Sequence, residues 1–186
     1  MFTEGPCIIL VTGIMASGKS TVAQLLSERF EKSVHVRGDL FRRMIVNNRQ
    51  EMNPDAGEEQ LDQLRLRYRL AAQTADLYVQ AGFTVVVQDV VVGPVLNEFI
   101  SFVRSRPFYA VVLCPKPEAV AQREAARSKK GYGAWTVEGL DRLHREQTPR
   151  IGMWLDSSDM TPEETVEEIW TRVQKEGLIA SGLEPI

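Results

Sequence analysis

The sequence predicts an α/β fold, a parallel sheet held between two layers of helices, and three observations predict it. Apolar runs of strand length recur at 7–11 (CIILV), 33–36 (SVHV), 83–88 (FTVVVQ), 108–114 (FYAVVLC) and 151–156 (IGMWLD). Helix-length segments separate them, and strands alternating with helices make βαβ units and therefore a parallel sheet. Two of the runs, TVVV and AVVL, are apolar at every position, as required when helices cover both faces of the sheet.

Each element has its own signal. The run at 7–11 leads into the glycine-rich stretch GIMASGKS at 13–20, and STVAQLLSERF after it carries a helical pattern. The best helix covers 58–81: Leu61, Leu64, Tyr68, Ala71, Ala72, Ala75 and Tyr78 recur at steps of three to four, and Gly82 stops it. Its other face carries Asp62, Arg65, Arg69 and Asp76. A last helix starts at TPEE, where Thr161 caps, Pro162 fits the first turn, and Glu163 and Glu164 favour the positive end of the helix dipole. Residues 177–186 read as a loosely held tail, which leaves one domain over 1–176 without internal repeats or low-complexity linkers.

Composition excludes several function classes. The 186 residues are 44% hydrophobic and 25% charged, ordinary for one globular domain, and the formal charge is -3. No extended basic run is present to track a nucleic-acid backbone, so a nucleic-acid partner is disfavoured. The N-terminus carries Glu4 in place of a basic region, and no stretch approaches the roughly 18 apolar residues of a membrane span, so the expected location is the cytoplasm. Cys7 and Cys114 lack metal-ligand spacing and read as buried free thiols. His35 and His144 read as structural histidines, and nothing suggests a Ser-His-Asp or Cys-His arrangement.

GIMASGKS fits G-x-x-x-x-G-K-[ST] in full, with Gly13, Gly18, Lys19 and Ser20 in the specified places, a strand before it and a helix after it. Glycines let the backbone wrap a phosphate so that the N–H groups of Ala16, Ser17 and Gly18 point inward. Lys19 brings positive charge to the β- and γ-oxygens, the Ser20 hydroxyl can ligate Mg²⁺, and Thr21 lies near the α-phosphate. The expected ligand is a nucleoside triphosphate with Mg²⁺.

Ligands of open parallel sheets bind outside the carboxyl ends of the strands. The second run ends in VRGDLFRR and the third in VVVQDVVVG, so each delivers a carboxylate, Asp39 and Asp89, to the phosphate-loop edge. Phosphoryl transfer to a hydroxyl needs a group to orient the acceptor and take its proton, a metal ion, and cations over the moving phosphoryl. Asp39 suits the first role, with Arg42 and Arg43 one turn on to bind an acidic or polar substrate; its bland reading is a helix N-cap. Asp89 suits Mg²⁺ or the substrate; its bland reading is a turn acid. Arg123 and Arg127 are four apart, which predicts one helix face, and the Gly131–Tyr132–Gly133 break after them permits hinging over the triphosphate. A solvated surface helix is the alternative, and Lys129 and Lys130 are assigned to solvent. Tyr132 and Trp135 are left open between stacking on a base and loop packing.

With these residues the chain resembles the small P-loop kinases that include chloramphenicol phosphotransferase, zeta toxins, gluconate kinase and the kinase domain of polynucleotide kinases. The resemblance runs through WLDSSDMTPEETVEEI and implies a P-loop NTPase three-layer sandwich, a five-stranded sheet of order 2-3-1-4-5, and a helical lid at about 118–135. It also implies Asp39 in RGD as the base and Arg123 and Arg127 as lid arginines. That strand order would put Cys7 and Cys114 at opposite ends of neighbouring strands, on the order of 15 Å apart, too far for a disulfide. Adenylate-, thymidylate- and shikimate-kinase signatures are absent, which disfavours nucleotide monophosphate acceptors, and QDVVVG stands where related kinases have D-x-[TS]-N.

The function expected from sequence is therefore ATP-dependent transfer of the γ-phosphoryl to a hydroxyl of a small molecule, an antibiotic, natural product or sugar. Asp39 would act as base, with Lys19, Arg127 and Mg²⁺ stabilising the phosphoryl. The alternatives are a nucleotide-dependent switch binding a protein partner, a zeta-toxin-like kinase of a nucleotide sugar, and a nucleic-acid-end kinase. Either a monomer or a homodimer fits.

Overall fold

The computed structural model describes residues 5–128 and 131–180. Its centre is a five-stranded parallel sheet in the order β2-β3-β1-β4-β5, formed by β1 (Ile8–Gly13), β2 (Ser33–Arg37), β3 (Thr84–Gln88), β4 (Phe108–Leu113) and β5 (Met153–Leu155). Every neighbouring pair is parallel, with Val11 opposite Gln88 and Gly13 opposite Leu113. The three-layer α/β sandwich and the strand order agree with the sequence reading.

Strand alternation divides the core between the two faces. Ile8 and Leu10 of β1 and Val85 and Val87 of β3 pack against Tyr68, Ala71, Ala72 and Ala75 of α3 (Glu58–Gln80) and Leu96, Phe99 and Ile100 of α4 (Val95–Phe102). On the other face, Ile9, Val11 and Val86 meet Val22, Ala23 and Leu26 of α1 (Lys19–Glu28) and Val166, Ile169 and Val173 of α7 (Pro162–Glu176). Of the apolar stripe expected of α3, Tyr68, Ala71, Ala72 and Ala75 are buried and Leu61 and Leu64 are half-buried, whereas Tyr78 is exposed. At its end, however, Asp76 is buried, where it accepts hydrogen bonds from the backbone N–H groups of Arg104 and Ser105, so it does not belong to the solvated face the sequence suggested.

A short helix, α2 (Gly38–Arg43), follows β2, and α5 (Pro117–Ala126) and α6 (Val137–Gln147) pack through Val120 and Leu140 with Ile14 and Val92, which follow the carboxyl ends of β1 and β3. Thr161 caps α7, accepting from the Glu164 N–H while Glu164 accepts from the Thr161 N–H. The expectation of a loose tail fails for 177–180: Leu178 bridges to Tyr109, and the buried Ile179 donates its N–H to the Phe108 carbonyl. Residues 181–186 lie outside the described residues, as do Lys129 and Lys130.

Cys7 and Cys114 are both free and buried, and burial pushes the Cys7 thiol up to about 11. His144 is fully buried, stacked 5.2 Å from the Trp154 ring and hydrogen-bonded to Thr148 and the Leu113 carbonyl. Burial holds it down at about 4, a neutral structural histidine. His35 is likewise held at about 4 by burial and Arg37. No helix among the described residues is long and apolar enough to cross a membrane.

Candidate active site

The phosphate loop joins β1 to α1, and its backbone departs from ordinary geometry where the motif requires it. Gly13, Ala16 and Gly18 have φ of 147°, 61° and 97°, and alternation of this kind turns successive N–H groups toward one point. Gly13 has a second reason to be glycine: a Cβ there would lie 2.5 Å from the Leu113 carbonyl oxygen and 2.9 Å from Ser17 Oγ. Lys19 is buried and its Nζ donates to the Ile14 carbonyl at 2.6 Å. Burial first, and then the charges of Arg127 and Arg67, pull its ammonium down to about 7. Ser20 and Thr21 are exposed at the helix start.

Asp39 stands at the second position of α2. Arg37, not Asp39, holds the N-cap position, and no side chain caps the helix. The carboxylate instead accepts from Arg42 Nε at 3.2 Å and from Arg43 Nε at 2.6 Å. Burial alone would raise its pKa, but the two guanidiniums outweigh burial and hold the carboxyl below the ordinary range. Arg42 is also paired with Glu51, so both arginines are engaged within the chain.

Asp89 is buried beyond the end of β3. Arg67 of α3 grips both of its oxygens, with Nε 2.7 Å from Oδ2 and Nη2 on Oδ1, and the Val90 N–H donates to Oδ1 at 2.7 Å. Arg67 is the main site residue that the sequence reading passed over. A signal was present: Arg67 lies three residues after Leu64 and four before Ala71, inside the apolar stripe of α3. A charge at such a place requires a buried partner.

The predicted shared helix face of Arg123 and Arg127 is corrected, because α5 ends at Ala126 and Arg127 has extended backbone, φ -81° and ψ 138°. Arg127 still reaches the site: it pairs with Glu124 at 3.3 Å and its charge acts on Lys19. Arg123 does not hang over the loop freely. Its guanidinium donates to the carbonyls of Ser17 (3.4 Å), Ser157 (2.6 Å) and Ser158 (3.3 Å), tying the phosphate loop to the β5–α7 connection. The hydroxyls of Ser17 and Ser157 are buried there without a partner.

Tyr132 settles as loop packing. It is buried and its hydroxyl donates to the Met15 carbonyl at 2.8 Å, docking the segment after α5 onto the phosphate loop. Trp135 Nε1 donates to the Met52 carbonyl at 3.3 Å, which links that segment to the loop before α3. A groove of ≈ 310 Å³ beside Trp135, lined by Pro54, Arg142, Leu143 and Glu146, includes none of the phosphate-loop residues or strand-end acids.

Comparison with known proteins places this geometry. No curated protein matches the chain. Among solved structures, a sugar kinase from Janibacter sp. HTCC2649 is similar at 16% identity and TM-score 0.64, covering 89% of this chain and 93% of that one. The tunicamycin resistance protein of Deinococcus radiodurans is similar at 15% identity and TM-score 0.65, covering 95% and 99%. The APS kinase of Mycobacterium tuberculosis, in complex with AMPPNP and APS, is similar at 20% identity and TM-score 0.62, covering 91% and 98%. At these identities the likeness is one of fold, a fold shared by kinases of different acceptors. Residues 8–149 match the family model AAA_33, described as an AAA domain, and the chain belongs to that family.

Proposed function

We propose that the protein is an ATP-dependent phosphotransferase that moves the γ-phosphoryl to a hydroxyl of a small molecule. The observation that carries this reading is Asp39: a carboxylate kept ionised by Arg42 and Arg43, 37% exposed, at the strand end beside the phosphate loop. A nucleotide switch has no need of an ionised acid held there. The loose transition state of phosphoryl transfer demands orientation of the acceptor more than strong basicity, so a carboxylate of lowered pKa is adequate as the accepting group.

The remaining residues divide the triphosphate among them. Backbone N–H groups of Ala16, Ser17 and Gly18 would hold the phosphates, with Lys19 and Arg127 placed over the transferring group and Thr21 toward the α-phosphate. Arg123, with the two unpartnered serine hydroxyls beside it, would receive the nucleoside end. Magnesium, when bound with the nucleotide, supplies positive charge across the β- and γ-oxygens. The exposed Ser20 hydroxyl, with an amide oxygen 3.2 Å away, offers the hard oxygen donors it prefers. Asp89 fits an acceptor-side role through Arg67 better than direct metal ligation, since both its oxygens are taken.

The neighbours named as a sugar kinase and a tunicamycin resistance protein support a polyhydroxylated or antibiotic acceptor. The test is to incubate protein, ATP and Mg²⁺ with pooled sugars, metabolites and antibiotics and to search by mass spectrometry for a species that gains one phosphoryl. Asp39→Asn should bind ATP normally and transfer orders of magnitude more slowly. Normal turnover in that variant would remove Asp39 from the reaction, and ADP release stimulated only by a protein partner would replace the kinase reading with a switch.

A further inference from the structure

The residues at the end of β3 are Gln88 and Asp89, and strand parity sends them to opposite faces of the sheet. Val85 and Val87 belong to the cluster beneath α3 and α4, and Val86 to the cluster beneath α1 and α7. Gln88 follows the parity of Val86 and points to the α1 side, where Ser20 Oγ donates to its Oε1 at 3.2 Å. Asp89 follows Val85 and Val87 to the α3 side, where Arg67 takes both oxygens. The acid is therefore one residue out of step with the phosphate-loop hydroxyl, and a neutral amide occupies its place.

Two further facts bear on the metal. Among the described residues no three His, Cys, Asp or Glu side chains cluster in a way that could hold an ion. Arg67 is itself nearly buried, with its side chain 12% exposed against 2% for Asp89, so freeing the carboxylate would strand both charges. Magnesium takes oxygen ligands, carbonyls included, and relies on substrate phosphates for much of its coordination.

We propose that Gln88 is the strand-end residue of the magnesium site, its amide oxygen acting with the Ser20 hydroxyl on the ion that accompanies the nucleotide, and that Arg67 withholds Asp89 from it. This rests on the reading that a nucleoside triphosphate occupies the Gly13–Thr21 loop. A neutral oxygen lacks the Coulomb attraction of a carboxylate for a divalent cation. The site accordingly gains less from Mg²⁺ than one ending in an acid, and its residual affinity resides in the phosphates.

The experiment measures ATP affinity by calorimetry in EDTA and across a Mg²⁺ series, without any acceptor, for the native protein and for Gln88→Ala, Gln88→Asp and Asp89→Asn. Thermal unfolding of each metal-free variant confirms that it is folded. Gln88→Asp should lower the Mg²⁺ concentration needed for half of the metal-dependent gain by about tenfold or more, and Gln88→Ala should raise it, in the range typical of residues that tune a metal site. Asp89→Asn should leave that concentration unchanged. If the Gln88 variants keep the native Mg²⁺ dependence, or if Asp89→Asn alone shifts it, the assignment is overturned. If the native protein binds no ATP in either condition, the kinase reading falls and takes this inference with it, an outcome distinct from intact binding with unaltered metal dependence.

Discussion

Gly38 lies so close to the carboxylate of Asp89 that a Cβ on Gly38 would overlap Asp89 Oδ2. Asp89 is not free to retreat, because Arg67 holds both of its oxygens. This contact sets how near β2 and β3 deliver their strand-end acids to each other, and Asp39 is the next residue after Gly38. Gly38→Ala should cost about 1–3 kcal/mol, as overpacking does. Denaturant unfolding checks the cost. Displacement of Asp39 should lower the transfer rate while ATP affinity at the phosphate loop is kept.

Removing Arg67 should be more damaging than adding a methyl group at Gly38. Arg67→Ala leaves Asp89 buried and unpaired, which costs roughly 3–5 kcal/mol. The double variant Arg67→Met with Asp89→Leu should recover most of that stability, since neither charge is then stranded. Urea midpoints at an unchanged slope would establish the comparison. A single variant as stable as the native protein would contradict the buried pair.

Nucleotide binding should take up a proton. The Lys19 ammonium is lowered to about 7 in the free protein, chiefly by burial, whereas the negative charge of a bound triphosphate favours its protonated form. Below about pH 7 the lysine is already charged and no proton need move. Between there and the ordinary lysine range of about 10.4, binding must recruit one, so affinity should fall by up to about tenfold per pH unit. Calorimetry at alkaline pH in two buffers of different ionisation enthalpy should report close to one proton taken up; zero uptake would show that Lys19 is already protonated when free.

Tyr132→Phe deletes one hydrogen bond, from the Tyr132 hydroxyl to the Met15 carbonyl. The expected loss is about 0.5–1.5 kcal/mol. It should appear as faster amide exchange in 131–136 and slightly weaker ATP binding, with the sheet unaffected. Unchanged exchange in that segment would show that the hydroxyl does not hold it.

Much of the fold was legible in the chain itself. Five apolar runs located the five strands to within about two residues. The glycine–lysine–serine loop was legible as a candidate phosphate cradle because its glycines, cation and hydroxyl follow one another in a single short motif. Capping chemistry at Thr161 marked the start of α7.

The errors have a common origin. Asp76, Arg67 and Ile179 were misplaced or passed over because their environments are made by residues far away in sequence, at 104–105, 89 and 108. Arg127 was placed on a helix by spacing alone, while the chain leaves helical geometry after Ala126.

By itself, then, the sequence determined the sandwich, the phosphate loop and the delivery of Asp39 and Asp89 to one edge, since periodicity and short motifs are local properties. Only the tertiary structure decided which face each strand-end residue turns to. One step along a strand reverses a side chain's direction, and it was the packing of α1 and α3 on opposite faces that gave Gln88 to Ser20 and Asp89 to Arg67.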